Sequence, residues 1–414
     1  MAKLRRILHC DLNSFYASVE LLSYPELADK PVAVCGNPEN RHGIILAKNE
    51  AAKRYHIKTA ETVWQARRKC PDLILLSPHH DQYRHYSKII NSIYNEFTDL
   101  VEPFSIDESW LDVTGSMHLF GGSGTAMGDL VRRTVKERTG LTISVGVSWN
   151  KIFAKLGSDY KKPDAVTVIT PQNYKAILWP LPVEDLIFVG KRAAERLRAA
   201  GITTIGELAV QQEIVLQNML GKNGTMLWRY ANGFDDSPVR SAEDKPEAKS
   251  IGHGTTFGKD LTTMETVRKH IYPLCEAVSR RLKQKGLRCR GVQVVVRDAS
   301  FRNISRQVTL SLPTNLTRVI FETAVQIVAD AWDFPRPIRM LTVTAIGLED
   351  AHLPLAQQLS IFNEDTFEKR KKQGQMESAV EALKARYGDK MVVSGVMLEK
   401  QLDEAHGENM EKKK

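Results

Sequence analysis

Cysteine is scarce in this chain. Five are present among 414 residues: Cys10, Cys35, Cys70, Cys275 and Cys289. The number is odd and no C-x-x-C spacing occurs, which argues against a disulfide framework and against a zinc site. The five read as reduced thiols of a cytoplasmic protein. Long apolar runs are missing as well. None approaches the ~20 residues that a membrane span needs, so no membrane partner is expected. The start, Met1 to Arg6, is basic, but the apolar stretch after it is too short for a signal peptide and soon meets Asp11.

What is present is ordinary in bulk and uneven in placement. Hydrophobic residues make up 42% and charged residues 26%, as in a soluble globular protein, and the length asks for about two to four domains. The formal net charge is +9. Residues 245–348 hold 17 Lys and Arg against 8 Asp and Glu, and the remainder holds 41 of each, so the whole excess sits in one segment. A local excess of this kind favours a polyanion partner, nucleic acid above all, over a merely soluble basic domain.

The apolar pattern divides the chain by texture. Short apolar runs at 5–10, 32–35 and 43–47 have strand length, and a helix is predicted over 13–22. Further helices are predicted over 80–97, 125–138 and 150–158, with strands at 101–104, 110–113 and 142–147. Such alternation through residue 170 describes an α/β unit. Residues 181–232 read as short helices punctuated by glycine, and Val189 to Leu197 with Gly201-Ile202 resembles a helix–hairpin–helix, whose turn can aim backbone N–H groups at a phosphate. Residues 234–250 are polar and read as a linker. Beyond them the order strand (251–257), helix (264–284), strand (289–297), strand (302–311), helix (315–332), strand (338–346) makes a β-α-β-β-α-β unit. A charged helix is predicted over about 364–387.

Ser105-Ile106-Asp107-Glu108-Ser109 sits between two apolar runs, Leu100-Val101 and Trp110-Leu111, and Asp11 ends another, Ile7 to Cys10. Carboxylates delivered to strand ends suggest a shared divalent-metal site, because Mg²⁺ takes hard oxygen ligands and paired metals run in-line phosphoryl transfer. Adjacent acids near a turn are more often simply solvated. Side chains alternate across a strand, so Asp107 and Glu108 can reach one ion only from a turn or a distorted strand start.

Four ordered motifs then meet a family. Asp11 to Glu20, Ser105 to Thr114, Ser144 to Lys155 running on to Asp159 and Lys162-Pro163, and Lys249 to Phe257 resemble the Y family of translesion DNA polymerases, nearest the bacterial DNA polymerase IV type. The resemblance runs from residue 5 to about 362 in the family's order. It implies a multidomain α/β (α+β) right hand. The palm would be residues 1–23 and 77–170, the small fingers 24–76, and the helical thumb with its helix–hairpin–helix 171–233. A linker (234–250) would lead to the DNA-binding β-α-β-β-α-β little finger (251–350), followed by a C-terminal tail (351–414). The implied reaction is low-fidelity, template-directed addition of deoxynucleotides to a primer 3′-hydroxyl with release of pyrophosphate. Its partners would be primer–template DNA and dNTP, its cofactor two Mg²⁺ ions, and the protein a monomer. No exonuclease-like segment is present, so proofreading is not expected.

Roles follow position by position. Asp11, Asp107 and Glu108 match the catalytic carboxylates that hold the metals, with the Leu12 carbonyl as a further ligand. Tyr16 matches an aromatic steric gate against the ribose 2′-hydroxyl, and Phe15, Lys53 and Lys162 match nucleotide-binding positions. Gln358-Leu359-Ser360-Ile361-Phe362 resembles the bacterial sliding-clamp-binding peptide, in which Leu359 and Phe362 would fill apolar pockets. Some positions depart from the pattern. Asn13 replaces an Asp, Glu50 stands where Tyr is usual, Lys53 where Arg is usual, and Phe188 where the hairpin's first Gly is expected. A carboxylate at 50 would repel a triphosphate unless it turns away, and Lys48 or Arg54 could compensate. Two other classes share these features: a weakly catalytic DNA- and clamp-binding accessory of the same fold, and a nucleotidyl cyclase-like enzyme.

Overall fold

The structure, a computed structural model, describes residues 4–37, 43–241, 244, 247–353 and 364–388, with isolated positions 392, 395 and 398. The expected clamp peptide, 358–362, lies outside the described residues. The chain forms two units, Met1–Lys245 and Pro246–Lys414.

The first unit is built around a five-stranded sheet. Strand β1 (Ile7–Leu12) is buried on both faces and leads into helix α1 (Phe15–Leu21). A smaller three-stranded sheet follows, made of β2 (Val32–Cys35), β3 (Ile45–Lys48) and β4 (Ile74–Leu76), with helices α2 (Glu50–Lys53) and α3 (Val63–Lys69) inserted before β4. Helix α4 (His80–Asn95) returns to the main sheet, which gains β5 (Val101–Pro103) and β6 (Glu108–Asp112). Helix α5 (Gly124–Thr139), β7 (Ile143–Ser148), α6 (Lys151–Tyr160) and β8 (Val166–Val168) complete it in the order β5-β6-β1-β7-β8. β4 and β8 were not anticipated. Three residues carry too little periodicity to register, and both strands exist by pairing in parallel with a distant partner.

Alternation on β1 sorts its side chains. Leu8, Cys10 and Leu12 enter the core under α4 and α5, whereas Ile7 packs with Trp110 and Ala154 on the opposite face. Gly146 on β7 lets the backbone of α6 lie directly on the sheet. A Cβ there would stand 1.8 Å from the Ala154 carbonyl oxygen and 2.4 Å from the Ser158 nitrogen. In the smaller sheet, the buried Asn49 accepts from the N–H groups of Ala52 and Val32, both at 3.0 Å, and donates to the Lys30 carbonyl at 2.7 Å. One amide thus caps α2 and ties it to the segment before β2.

Short helices α7 (Tyr174–Leu178), α8 (Lys191–Ala199), α9 (Ile205–Ala209), α10 (Glu213–Leu220) and α11 (Lys222–Ala231) follow with their own core. Residues 234–240, expected to open a linker, are held to the main sheet instead. Val239 is buried beside Ile7 and Trp110, Arg5 donates to the carbonyls of Asp235 and Ser237, and Glu102 accepts from the backbone and side chain of Arg240. Polar composition hid this strap, since most of its anchors are backbone groups and ion pairs.

The second unit is a four-stranded antiparallel sheet in the order β11-β10-β12-β9. Its elements are β9 (Ser250–Leu261), α12 (Met264–Gln284), β10 (Leu287–Asp298), β11 (Asn303–Thr314), α13 (Thr317–Ala331) and β12 (Ile338–Asp350). Val292, Val294 and Val296 are buried against the two helices while Gln293, Val295 and Arg297 face the other side, as their alternation predicts. Helix α14 (Glu364–Tyr387) lies on α12 and α13. Glu377 accepts from the N–H groups of Thr317 and Arg318 at the start of α13, and Lys283 pairs with Glu377 and Glu381, both at 2.9 Å.

Candidate active site

The main sheet and the smaller sheet flank a cleft of about 420 Å³, lined by Asp11, Leu12, Phe15, Tyr16, Lys48, Lys53, Asp107, Glu108 and Lys162 among others. Asp11 and Glu108 are register partners on β1 and β6 and therefore neighbours on one face. Asp107 sits in the bend before β6, and its carbonyl accepts from the Leu12 N–H at 3.1 Å. Glu108 is the first strand residue and Asp107 precedes it in the bend, so neither sits in mid-strand, where alternation would send the two side chains to opposite faces.

Two lysines reach the carboxylates from the other side. Lys155 on α6 approaches Glu108 at 2.8 Å, Asp159 at 3.6 Å and Asp11 at 3.8 Å. Lys162 pairs with Asp11 at 2.9 Å and Asp159 at 2.6 Å. Burial raises the Glu108 carboxyl to about 7; Lys155 pulls it down and Asp11 pushes it further up. Burial favours the neutral form of Lys162, but Asp11 and Asp159 outweigh it and hold the ammonium above its usual range. His9 lies beneath. Burial first, then Lys155 and Lys162, keep its imidazole well below the usual histidine range. Its approach to Glu108, 3.9 Å, is therefore not an ion pair. The Ser158 hydroxyl donates to the Lys155 carbonyl, so the 2.8 Å contact between His9 Nδ1 and Ser158 is donated by the imidazole, leaving Nε2 a buried acceptor without a partner.

The third carboxylate stands apart. Asp107 accepts from the Ser105 hydroxyl at 2.6 Å, and among the described residues no three acidic, imidazole or thiol groups converge closely enough to hold an ion as they stand. The donor set still suits a hard divalent cation: two adjacent carboxylate side chains whose present counter-charge is supplied by lysine ammonium groups.

The nucleotide-side residues divide. The Tyr16 ring half-lines the cleft, stacked on Tyr83 at 4.0 Å and 8°. Phe15 is buried in the core and also borders the cleft. The Glu50 carboxylate is held at the cleft wall, accepting from Ser14 Oγ at 3.2 Å and pairing with Lys53 at 2.5 Å, both of which line the cleft. Lys48 lines the cleft and Arg54 does not, so Lys48 is the better placed of the two compensating cations. Phe188 adopts φ 71°, the left-handed conformation a glycine would take freely, and is half exposed. Lys155 and His9 received no role from the sequence. The available signal was Lys155 and Asp159, one helical turn apart on a helix that follows a buried strand.

Comparison with known proteins agrees with this architecture. Residues 10–159 match the impB/mucB/samB family, residues 171–202 the helix–hairpin–helix motif of the same family, and residues 248–361 its C-terminal domain. The chain is 45% identical to DNA polymerase IV of Acetivibrio thermocellus, over 95% of this chain and 98% of the relative. It is 38% identical to DNA polymerase IV 1 of Bacillus subtilis, over 99% and 97%. A Y-family DNA polymerase chimera of Dbh and Dpo4 shares the fold, with a TM-score of 0.71 at 22% identity over 83% of this chain and 98% of the other. The chain therefore belongs to the Y family of translesion DNA polymerases, in its bacterial DNA polymerase IV group, and is a DNA-directed DNA polymerase acting on DNA and deoxynucleoside triphosphates.

Proposed function

We propose that nucleotidyl transfer takes place in the cleft between the two sheets of the first unit, at Asp11, Asp107 and Glu108. The observation that carries this is the pairing of Asp11 and Glu108 across β1 and β6 at the mouth of a cleft that also presents Tyr16, Lys53 and Lys162. Asp11, Glu108, the Leu12 carbonyl and Asp107, once released from Ser105, would hold two Mg²⁺ ions. Bound there, the ions lower the pKa of the primer hydroxyl and offset charge on the leaving pyrophosphate. Lys53, Lys48 and Lys162 bind the triphosphate as mobile point charges, each giving up a neighbouring carboxylate or hydroxyl to do so. Tyr16 excludes a ribose 2′-hydroxyl.

In this reading the main sheet is the palm, the smaller sheet the fingers over the nascent pair, the helical segment the thumb, and the second unit the basic grip on the duplex. The peptide 358–362 binds the sliding clamp, and the protein acts as a cytoplasmic monomer. The accessory reading has less support, since the relatives matched over nearly the full chain are named DNA polymerase IV and the Glu50 charge is already paired with Lys53.

Primer extension with Mg²⁺ and dNTPs on an undamaged template tests the site. Glu108→Ala should reduce incorporation by about 10²-fold or more while primer–template affinity persists. Retained activity would place the chemistry elsewhere. Leu359→Ala with Phe362→Ala should remove stimulation by the clamp and leave clamp-free extension intact.

A further inference from the structure

Glu20 has no part in the reaction above, yet it is a buried carboxylate with several hydrogen bonds. It accepts from the His79 backbone N–H at 3.0 Å, is bonded to His79 Nδ1 at 2.9 Å, and accepts from the Tyr83 hydroxyl. The Tyr83 oxygen also accepts from the His79 N–H at 3.1 Å. Held at that end, the Tyr83 ring lies flat against Tyr16, with centroids 4.0 Å apart and planes 8° from parallel. His80 meets both rings edge-on. Glu20 and Tyr16 are four residues apart on α1, so they occupy the same helix face one turn apart. The contacts close a ring: helix to carboxylate, carboxylate to phenol, phenol ring to gate ring, gate back to helix.

We propose that Glu20 is a positioning residue for sugar selection, acting through Tyr83 to fix the ring of Tyr16. This rests on the reading of Tyr16 as the gate. The 2′-hydroxyl that separates the two substrates is a single oxygen, so the gate discriminates only if its ring cannot yield. A misplacement of about 1 Å in a positioning group is enough to change rates by ~10²-fold. A parallel ring blocks retreat along the stacking direction. The phenol can block it only while its own far end is anchored, and Glu20 and His79 supply that anchor. Burial and the Glu20 hydrogen bond raise the Tyr83 hydroxyl above its usual range, so it remains a donor at any working pH.

The test is the ratio of kcat/KM for dCTP over CTP, measured with the full-length protein opposite template dG. The variants are Tyr16→Ala, Glu20→Gln, Tyr83→Phe and the double variant Tyr16→Ala/Tyr83→Phe. Tyr83→Phe keeps the ring and removes only the anchored oxygen, so it tests the idea even where Glu20→Gln folds poorly. Loss of one such hydrogen bond should lower the ratio about five- to twentyfold, mainly through a lower KM for CTP. The double variant should discriminate no worse than Tyr16→Ala. A purely structural role for the cluster would slow both nucleotides together and leave the ratio alone. A wild-type ratio in Tyr83→Phe beside a collapsed ratio in Tyr16→Ala would overturn the positioning role and leave the gate standing. An unchanged ratio in Tyr16→Ala would overturn the gate and the inference with it.

Discussion

At the scale of single residues, the electrostatics of Glu108 make the clearest claim. Its carboxyl is raised to about 7 by burial, with Lys155 opposing and Asp11 assisting. A metal binds the ionised form, so below that value the ion competes with a proton. Mn²⁺ affinity, followed by titration calorimetry, should fall up to about tenfold per pH unit below 7 and flatten above it. Glu108→Gln should remove this slope. The sign for folding is opposite. A raised carboxyl binds its proton more tightly in the native state, so this group withdraws stability from the metal-free protein as pH climbs from about 4.5 to 7. Phe188 offers a second claim. It spends a left-handed φ of 71° on a side chain that stays half exposed, where glycine would take the conformation without strain. Phe188→Gly should raise stability by about 0.5–1 kcal/mol in urea melts. No change would mean that its contact toward Tyr230 compensates. That Asp11, Glu108 and Tyr16 would share one cleft was legible in the sequence because each sits inside a run of motif residues. The Tyr83 stack and the Glu20 anchor were not, since each joins residues 63 or more positions apart and leaves no local period, and the Lys155 bridge to Glu108 left only its helical spacing to Asp159.

Elements show the same division. The helices and strands with a long apolar rhythm, such as α4, α12 and β10, stand where that rhythm places them. β4 and β8 escaped because three residues cannot display a period, and the strap at 234–240 escaped because its anchors are carbonyls and charges. Helix α14 was legible as a helix but not as a packed one. Leu316, at the start of α13, supplies no side-chain cap, and the carboxylate of Glu377 performs that task from 60 residues away. Glu377→Ala should leave two helix N–H groups and the part-buried Lys283 with fewer acceptors, lowering the stability of the second unit by about 1–3 kcal/mol. Differential scanning calorimetry would show this as a shift of one transition. If the melt is unmoved, α14 is not part of that unit's cooperative fold.

For the whole molecule, the proposed grip of the second unit on DNA rests on charge placement. The excess of nine positive charges lies within 245–348, and Arg302 and Arg306 project from β11 and the turn before it as exposed side chains. Phosphate contacts position a duplex without reading its sequence. Replacing both arginines with alanine should weaken primer–template binding on every sequence alike and reduce the slope of log K against log salt by about one per lost contact. Fluorescence anisotropy across a salt series would measure it, and an unaltered slope would move the grip to another face. One further property follows from the smaller sheet. Its core has Ala33, Cys35, Ile45, Ala52, Ile57, Val63, Ala66, Cys70 and Leu73, without one aromatic ring. So little buried surface gives a low opening free energy, and its amides should exchange with deuterated solvent well before those of β1 and β7. On the proposal that this sheet covers the nascent pair, a cover that breathes so readily could not gauge the shape of what lies beneath it, and mechanical softness would then be a source of tolerance for damaged templates.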